Sequence, residues 1–267
     1  MPEVVGSSLT MFADDTKLYS TVASTLAASS LQSDLEALVN WADAWQLPFN
    51  EAKCKVMHLG RNNPAKQYVM RDSEMSVVRV EKDLSVQVDD ELKFRQHASA
   101  AVAKANQILA VIRRSFVLIN ECTLPLLYKS LVRPHLEYGN LVWGPFNRAD
   151  QKLVERVQRR ATRMVANLRH LPYQERLRAL KLPSLYYRRK RGDMIFTYQM
   201  FHGGVDVEVT DLFCPATGAV TRGHPHKLRK PEAVSRLRRA AFAVRAVNDW
   251  NGLPAQVVSA PTVDSFK

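Results

Sequence analysis

Leu9-Thr10-Met11-Phe12-Ala13-Asp14-Asp15-Thr16-Lys17-Leu18-Tyr19 is the stretch whose reading decides the fold. Leu9, Met11 and Ala13 alternate with Thr10 and Phe12, the period of a half-buried strand. Asp14 and Asp15 then read as the turn of a hairpin over residues 4–20, with Lys17-Leu18-Tyr19 as its return. Two carboxylates at such a tip repel each other and lack an obvious cationic neighbour. The residues alone allow two readings. One is a polar turn, since aspartate is a common turn residue. The other is a carboxylate pair whose repulsion a divalent cation relieves.

Around this stretch the 267 residues suit one large domain or two small ones, and 46% apolar content supports a true core. Cys54, Cys122 and Cys214 are odd in number and far apart, which argues against a disulfide framework and for an intracellular, reducing compartment. No signal-peptide pattern opens the chain, and no apolar run approaches the length that spans a bilayer. The net charge of +12 is unevenly spread: residues 1–90 carry −5 and residues 91–267 carry +17. A basic excess of that size attracts phosphate backbones regardless of sequence.

The pattern changes where the charge does. After the hairpin, Leu31, Leu35, Leu38, Ala42 and Trp45 mark one stripe of a helix over residues 23–47, which Pro48 stops. Cys54 to Gly60 reads as a strand, and so does the alternation of Leu84, Val86 and Val88. One helix on a small antiparallel sheet is an α+β arrangement. Beyond Asp90, a possible cap, the periodicity is helical. Ala98, Ala101, Ala105, Ile108, Ile112 and Phe116 mark a first helix. A second runs from Thr123 through Leu127, Leu131 and Leu136 to Trp143, with Pro134 kinking it. A third, over 149–168, sets Leu153, Val157, Ala161, Met164 and Leu168 against Arg156, Arg159, Arg160 and Arg163. Pro172 opens a fourth, Ser184 caps a fifth that ends at Gly203-Gly204, and a sixth covers 236–250 after a loop-like stretch at 205–232. A last helix starts at Pro261. All four tryptophans (Trp41, Trp45, Trp143, Trp250) fall on apolar stripes or helix ends and are expected in cores.

Four constellations could carry chemistry. The carboxylate pair is the first. The second is Asn50 with Lys53, a turn lysine able to meet a departing phosphate beside a metal, or an ordinary solvated lysine. The third is Tyr186-Tyr187-Arg188-Arg189-Lys190-Arg191 with Arg159, Arg160, Arg163, Arg169, Arg176 and Arg178 upstream. From 151 to 194 there are thirteen Lys/Arg against three acidic residues, which fits contact with a phosphate backbone and stacking on tyrosine. Arg188 to Arg191 also reads as a nuclear-localisation signal. The fourth is Cys214 with His224 and His226, whose spacing matches no paired zinc template.

Phe12-Ala13-Asp14-Asp15 resembles the Tyr/Phe-x-Asp-Asp box of reverse transcriptases, and the segments after it resemble, in order, non-LTR retrotransposon polymerases of the jockey and chicken-repeat-1 type. Those segments include Leu47-Pro48-Phe49-Asn50 with Lys53, Asp83-Leu84-Ser85-Val86, and Leu92-Lys93-Phe94 with His97. They continue with Leu131-Val132-Arg133-Pro134-His135-Leu136-Glu137-Tyr138-Gly139, Val157-Gln158-Arg159-Arg160-Ala161-Thr162, Arg222-Gly223-His224 and Trp250-Asn251. The resemblance implies a partial polymerase palm over 1–90 (hairpin, helix, short antiparallel strands). A mainly α-helical, basic, thumb-like region would follow over 91–204, and a loop and helix region over 205–267. It implies RNA-templated DNA synthesis with two Mg2+, Asp14 and Asp15 as catalytic metal ligands, and Lys53 near the incoming triphosphate. Its partners would be an RNA template and a DNA primer, or an RNA–DNA duplex. Arg159, Arg160, Arg163, Arg188, Arg189, Lys190 and Arg191 would contact it, with no membrane involved. The family carries another metal-binding aspartate and the fingers well before this box. The stretch from Met1 is therefore expected to be the C-terminal part of a longer enzyme, inactive alone; a non-catalytic nucleic-acid-binding remnant is the alternative. Ser85 stands where the family usually has glycine.

Overall fold

The structure is a computed structural model that describes residues 4–22, 24–60, 63–216 and 223–267; Ala23, the expected start of the first helix, and Arg222 lie outside them. The chain folds as two units, Met1–Leu92 and Lys93–Lys267.

The first unit begins with the expected hairpin, shifted by one residue. Strand β1 (Ser8–Phe12) pairs antiparallel with β2 (Asp15–Tyr19), and Phe12 faces Asp15. The two-residue turn is Ala13-Asp14, so Asp15 is already in the strand. Ala13 sits at φ 53°, in the left-handed region that hairpin turns usually fill with glycine. Helix α1 (Thr25–Ala44) is capped by Ser24, whose hydroxyl accepts from the Ala27 N–H. It ends before Pro48: Gln46 turns left-handed at φ 57°, and the Leu47 N–H reaches back to the Ala42 carbonyl, a Schellman end. Trp45, left at the cap, is 66% exposed and not in the core.

The remaining strands are short: β3 (Lys55–Val56), β4 (Val69–Met70), β5 (Ser73–Glu74), β6 (Ser76–Val77), β7 (Val80–Asp83) and β8 (Val86–Asp89). They do not join one antiparallel sheet. Among the described residues they form separate two-stranded ladders, and β3–β6 is parallel. Leu84 and Ser85 are the turn of the β7–β8 hairpin, at φ 43° and 68°, so the strand expected from Leu84 starts at Val86. The core is α1 against β4: Leu35 and Val39 bury Tyr68 and Met70, with Leu18, Leu31 and Val56 around them. Polar ties fix it. The Gln32 amide donates to the Val69 carbonyl at 2.8 Å and its oxygen accepts the Val69 N–H at 3.0 Å.

Both turns carry left-handed residues other than glycine, which costs on the order of 1–2 kcal/mol per residue. Ala13→Gly and Ser85→Gly are each expected to stabilise this unit by about 1 kcal/mol, read as a higher Tm. An unchanged or lower Tm would contradict the turn geometry.

The second unit is helical. Helix α2 (Arg95–Ser115) buries His97, Ala98, Ala101, Val102, Ala105, Leu109 and Ile112, while Phe116, expected on its stripe, is exposed. The segment around Pro134 is neither one helix nor simply kinked. Helix α3 (Thr123–Leu127) passes into a π-helical turn (Tyr128–Val132), then α4 (Arg133–Glu137), and after left-handed Gly139 the short α5 (Asn140–Trp143). Proline lacks an N–H and crowds the carbonyl four residues back, and the widened turn accommodates both. The buried face is therefore Leu124, Tyr128, Val132 and Leu136, with Leu131 outside.

Helix α6 (Arg148–Thr162) packs on α2 and buries Val154, Val157, Gln158 and Ala161. A 3-10 turn (Ala166–Leu168), α7 (Tyr173–Ala179) and α8 (Leu185–Phe201) follow. The described residues after 204 share a core with α8. Short α9 (Val209–Leu212), the pair β9 (Cys214–Pro215) and β10 (Leu228–Arg229), and α10 (Arg236–Ala240) lead to α11 (Phe242–Asn251), α12 (Ala255–Val258) and α13 (Val263–Phe266). Met194, Tyr198, Phe242, Val247, Trp250 and Phe266 form that core, and the Tyr198 hydroxyl donates to the Ala260 carbonyl at 2.5 Å.

Candidate nucleic-acid interface

The carboxylate pair lies in the first unit. Asp14 and Asp15 are both exposed at the tip of the β1–β2 hairpin. The hairpin is tied down behind them: Asp34 of α1 accepts the N–H groups of Gly6 and Ser7 at 3.0 and 2.8 Å, and Lys17 meets Asp83 at 2.5 Å. Lys53 is exposed at the end of the 3-10 turn Glu51–Lys53, and no ion pair joins it to either carboxylate among the described residues. No group of three or more His, Cys, Asp or Glu that could hold a metal is found there either. Two consecutive carboxylates at an open tip do not by themselves make a two-metal site, so no step through Mg2+ is derived from these residues.

The arginines expected to bind nucleic acid separate into two groups. Arg156, Arg159, Arg160 and Arg163 stand at i, i+3, i+4 and i+7 along α6 and its C-cap, which places them on one exposed stripe. The stripe walls a cleft of about 570 Å3 whose other side is the loop into α7, with Arg169, His170 and Arg176. Arg176 is buried beneath it. Its Nε donates to the Thr162 hydroxyl at 3.0 Å and its Nη1 to the Leu171 carbonyl at 2.6 Å. Burial, then Arg163, pull the Arg176 pKa below the usual guanidinium range.

No carboxylate lines this cleft among the described residues. Glu155, the nearest in sequence, is engaged elsewhere: it accepts the Tyr173 hydroxyl at 2.5 Å and the N–H groups of Leu185 and Tyr186 at the start of α8. Burial and this carboxylate hold the Tyr173 pKa well above the usual phenol range. Like charges at i,i+4 destabilise a helix by about 0.2–0.5 kcal/mol per pair, so this stripe does not serve the helix. An anionic ligand would offset the repulsion.

Arg188, Arg189, Lys190 and Arg191 are different. They lie in α8, and three of them are tied to other parts of the same unit. Arg188 grips both oxygens of Glu137 on α4, Lys190 meets Asp249 of α11 at 2.9 Å, and Arg191 donates to the Lys267 carbonyl at 3.1 Å. Arg189 is half-buried, its terminal nitrogens out of solvent, and desolvation lowers its pKa. Sequence reasoning grouped these four with the stripe because charge density does not show which carboxylates sit opposite.

Of Cys214, His224 and His226, only His224 is buried. Cys214 is exposed in β9 opposite Arg229. His224 is buried against Trp250, and its Nε2 lies 3.0 Å from the Trp250 carbonyl. A carbonyl only accepts, so Nε2 carries the proton; Nδ1 is buried with no partner among the described residues. Burial depresses this imidazole's pKa; the hydrogen bond to Trp250 opposes the shift, and Lys227 and His226 add to it. A depressed pKa means the unfolded chain binds the proton first. The contribution to stability is therefore full above about pH 6.5 and lost as pH falls toward the folded value. In His224→Gln, which keeps the donor, the decline of Tm between about pH 7 and 5 should be shallower. An unchanged slope would contradict this.

No family model and no solved structure matches the chain. Two curated proteins of Drosophila melanogaster do. One is the probable RNA-directed DNA polymerase from transposon X-element, 27% identical over 169 residues, which cover 60% of this chain and 18% of that one. The other is the RNA-directed DNA polymerase from mobile element jockey, 26% identical over 182 residues, covering 65% and 20%. The chain is thus similar to RNA-directed DNA polymerases of two mobile elements. It spans about a fifth of the length of the curated relatives it matches.

Proposed function

We propose that the chain is part of an RNA-directed DNA polymerase of a non-LTR retrotransposon, and that its helical unit grips the template–primer duplex through the α6 arginine stripe. The observation that carries this is the similarity to two such polymerases over about three-fifths of the chain. The unneutralised arginine cleft supports it. In this reading the first unit is the end of the palm. Asp14 and Asp15 would supply one corner of a two-Mg2+ site, and Lys53 would lie near the incoming triphosphate. With further donors, the two carboxylates would hold Mg2+, which would supply charge stabilisation for phosphoryl transfer.

The test is binding and extension by the 267-residue chain. An RNA–DNA duplex should bind at low salt, with affinity falling steeply as salt rises. Primer extension on an RNA template with Mg2+ should give no product, because two carboxylates are too few ligands. Absence of duplex binding at low salt would overturn the proposal; extension by the chain alone would overturn its account of the metal site.

A further inference from the structure

We propose that the arginine cleft holds an unpaired nucleotide of a nucleic-acid strand, its base against the Arg159 guanidinium and its flanking phosphates against Arg163 and Arg169. This rests on the reading of the helical unit as a nucleic-acid interface and adds the kind of strand that enters it. The first reason is shape. A concavity of about 570 Å3 is the size of a small-ligand site and takes one nucleotide, which a fully paired strand does not present.

The second reason is a stacking surface. The Arg159 guanidinium lies 4.0 Å over the Tyr173 ring. That ring is held by its hydroxyl on Glu155 and by Arg176, whose guanidinium sits 5.6 Å from the ring centre. One face of Arg159 is thus fixed on an aromatic plane, and the exposed side chain offers the other to a base. The third reason is where the remaining charge lies. Arg169 donates its Nε to the Arg163 backbone carbonyl at 3.3 Å, and both residues line the cleft, which leaves two guanidinium groups there for phosphate. No amide or carboxylate side chain lines the cleft among the described residues, so the bound strand is read by stacking and charge and not by base sequence.

The full chain is titrated against fluorescein-labelled single strands of about 12 nucleotides, oligo(U) and oligo(dT), and against a blunt RNA–DNA duplex, by anisotropy over a range of salt. Arg159→Lys keeps the charge and removes the plane. It should weaken single-strand binding roughly five- to tenfold without changing the salt slope, and weaken duplex binding clearly less. Arg163→Gln should lower the single-strand salt slope by roughly 0.7, one phosphate contact. If Arg159→Lys fails to fold by circular dichroism, the Arg163→Gln slope decides. Equal losses for both ligands, or no single-strand loss, would overturn the inference, as would a free mononucleotide that competes as well as the oligonucleotide. Wild type that binds duplex but no single strand refutes this inference and leaves the proposed function standing. Single-strand binding without duplex binding does the reverse. RNA and DNA arms of equal affinity are expected; a preference confined to guanine-rich strands would overturn the sequence-independent reading.

Discussion

Exchanging Arg159, Arg160 and Arg163 together for glutamate should lower the affinity for an RNA–DNA duplex by roughly a hundredfold or more at low salt. Charge-assisted hydrogen bonds contribute about 1.5–3 kcal/mol each, and reversal adds repulsion to their loss. The three side chains share one exposed stripe of α6, and the nearest carboxylate, Glu155, is committed to Tyr173 and the start of α8. Arg160 also donates to Asn106 of α2 at 2.7 Å, so the fold of the triple variant is checked by thermal unfolding. Arg113, Arg114 and Arg236, exposed elsewhere in the same unit, serve as the control. The same reversal there should cost less than about tenfold, because those side chains do not line the cleft and salt screens exposed charges that make no direct contact. Equal losses would make the effect one of net charge and not of the cleft.

The second large effect concerns folding. Arg245 of α11 clasps Asp193 of α8 with two 2.8 Å hydrogen bonds, from Nε and Nη2 to the two carboxylate oxygens. Its remaining N–H groups go to the carbonyls of Ala240 at 2.9 Å, Asn140 at 3.2 Å and Leu141 at 3.3 Å. Asp193 is only 6% exposed. Arg245→Ala would leave a carboxylate buried without its partner and open the joint between α5, α8 and α11. The expected loss is about 3–5 kcal/mol, a large share of the roughly 5–15 kcal/mol that holds a domain folded. Asp193→Leu with Arg245→Met should lie closer to wild type, since removing both charges leaves neither stranded. Chemical denaturation of the three proteins checks this; a double variant as unstable as Arg245→Ala would mean that the carbonyl contacts carry the loss.

The hairpin, the stripe of α1, the cap Ser184 and the arginine stripe were legible because each depends on local spacing or on one residue's chemistry. What was not legible depends on distant partners. The single antiparallel sheet became separate ladders because strand pairing is non-local, and β3 takes β6, twenty-one residues on, in parallel. The face of the Pro134 segment shifted by one residue through a π-helical turn that periodicity assumes absent. Trp45 left the core because a left-handed glutamine, where glycine is usual, ended α1 early. In the site, Arg188 and Lys190 looked free until folding set Glu137 and Asp249 against them, 51 and 59 residues away. The Tyr173 platform under Arg159 went unnoticed for the same reason, although tyrosine beside a proline-opened helix near an arginine stripe was a visible cue.

Arginine footprinting with phenylglyoxal tests the central claim without altering the protein. The full chain is modified with and without a saturating RNA–DNA duplex that carries a single-stranded template overhang, and modification at each arginine is read by mass spectrometry. The cleft predicts that Arg159, Arg163 and Arg169 lose reactivity on binding while Arg113, Arg114 and Arg236 keep theirs. Protection spread evenly over the exposed arginines, or confined to those outside the cleft, would contradict it.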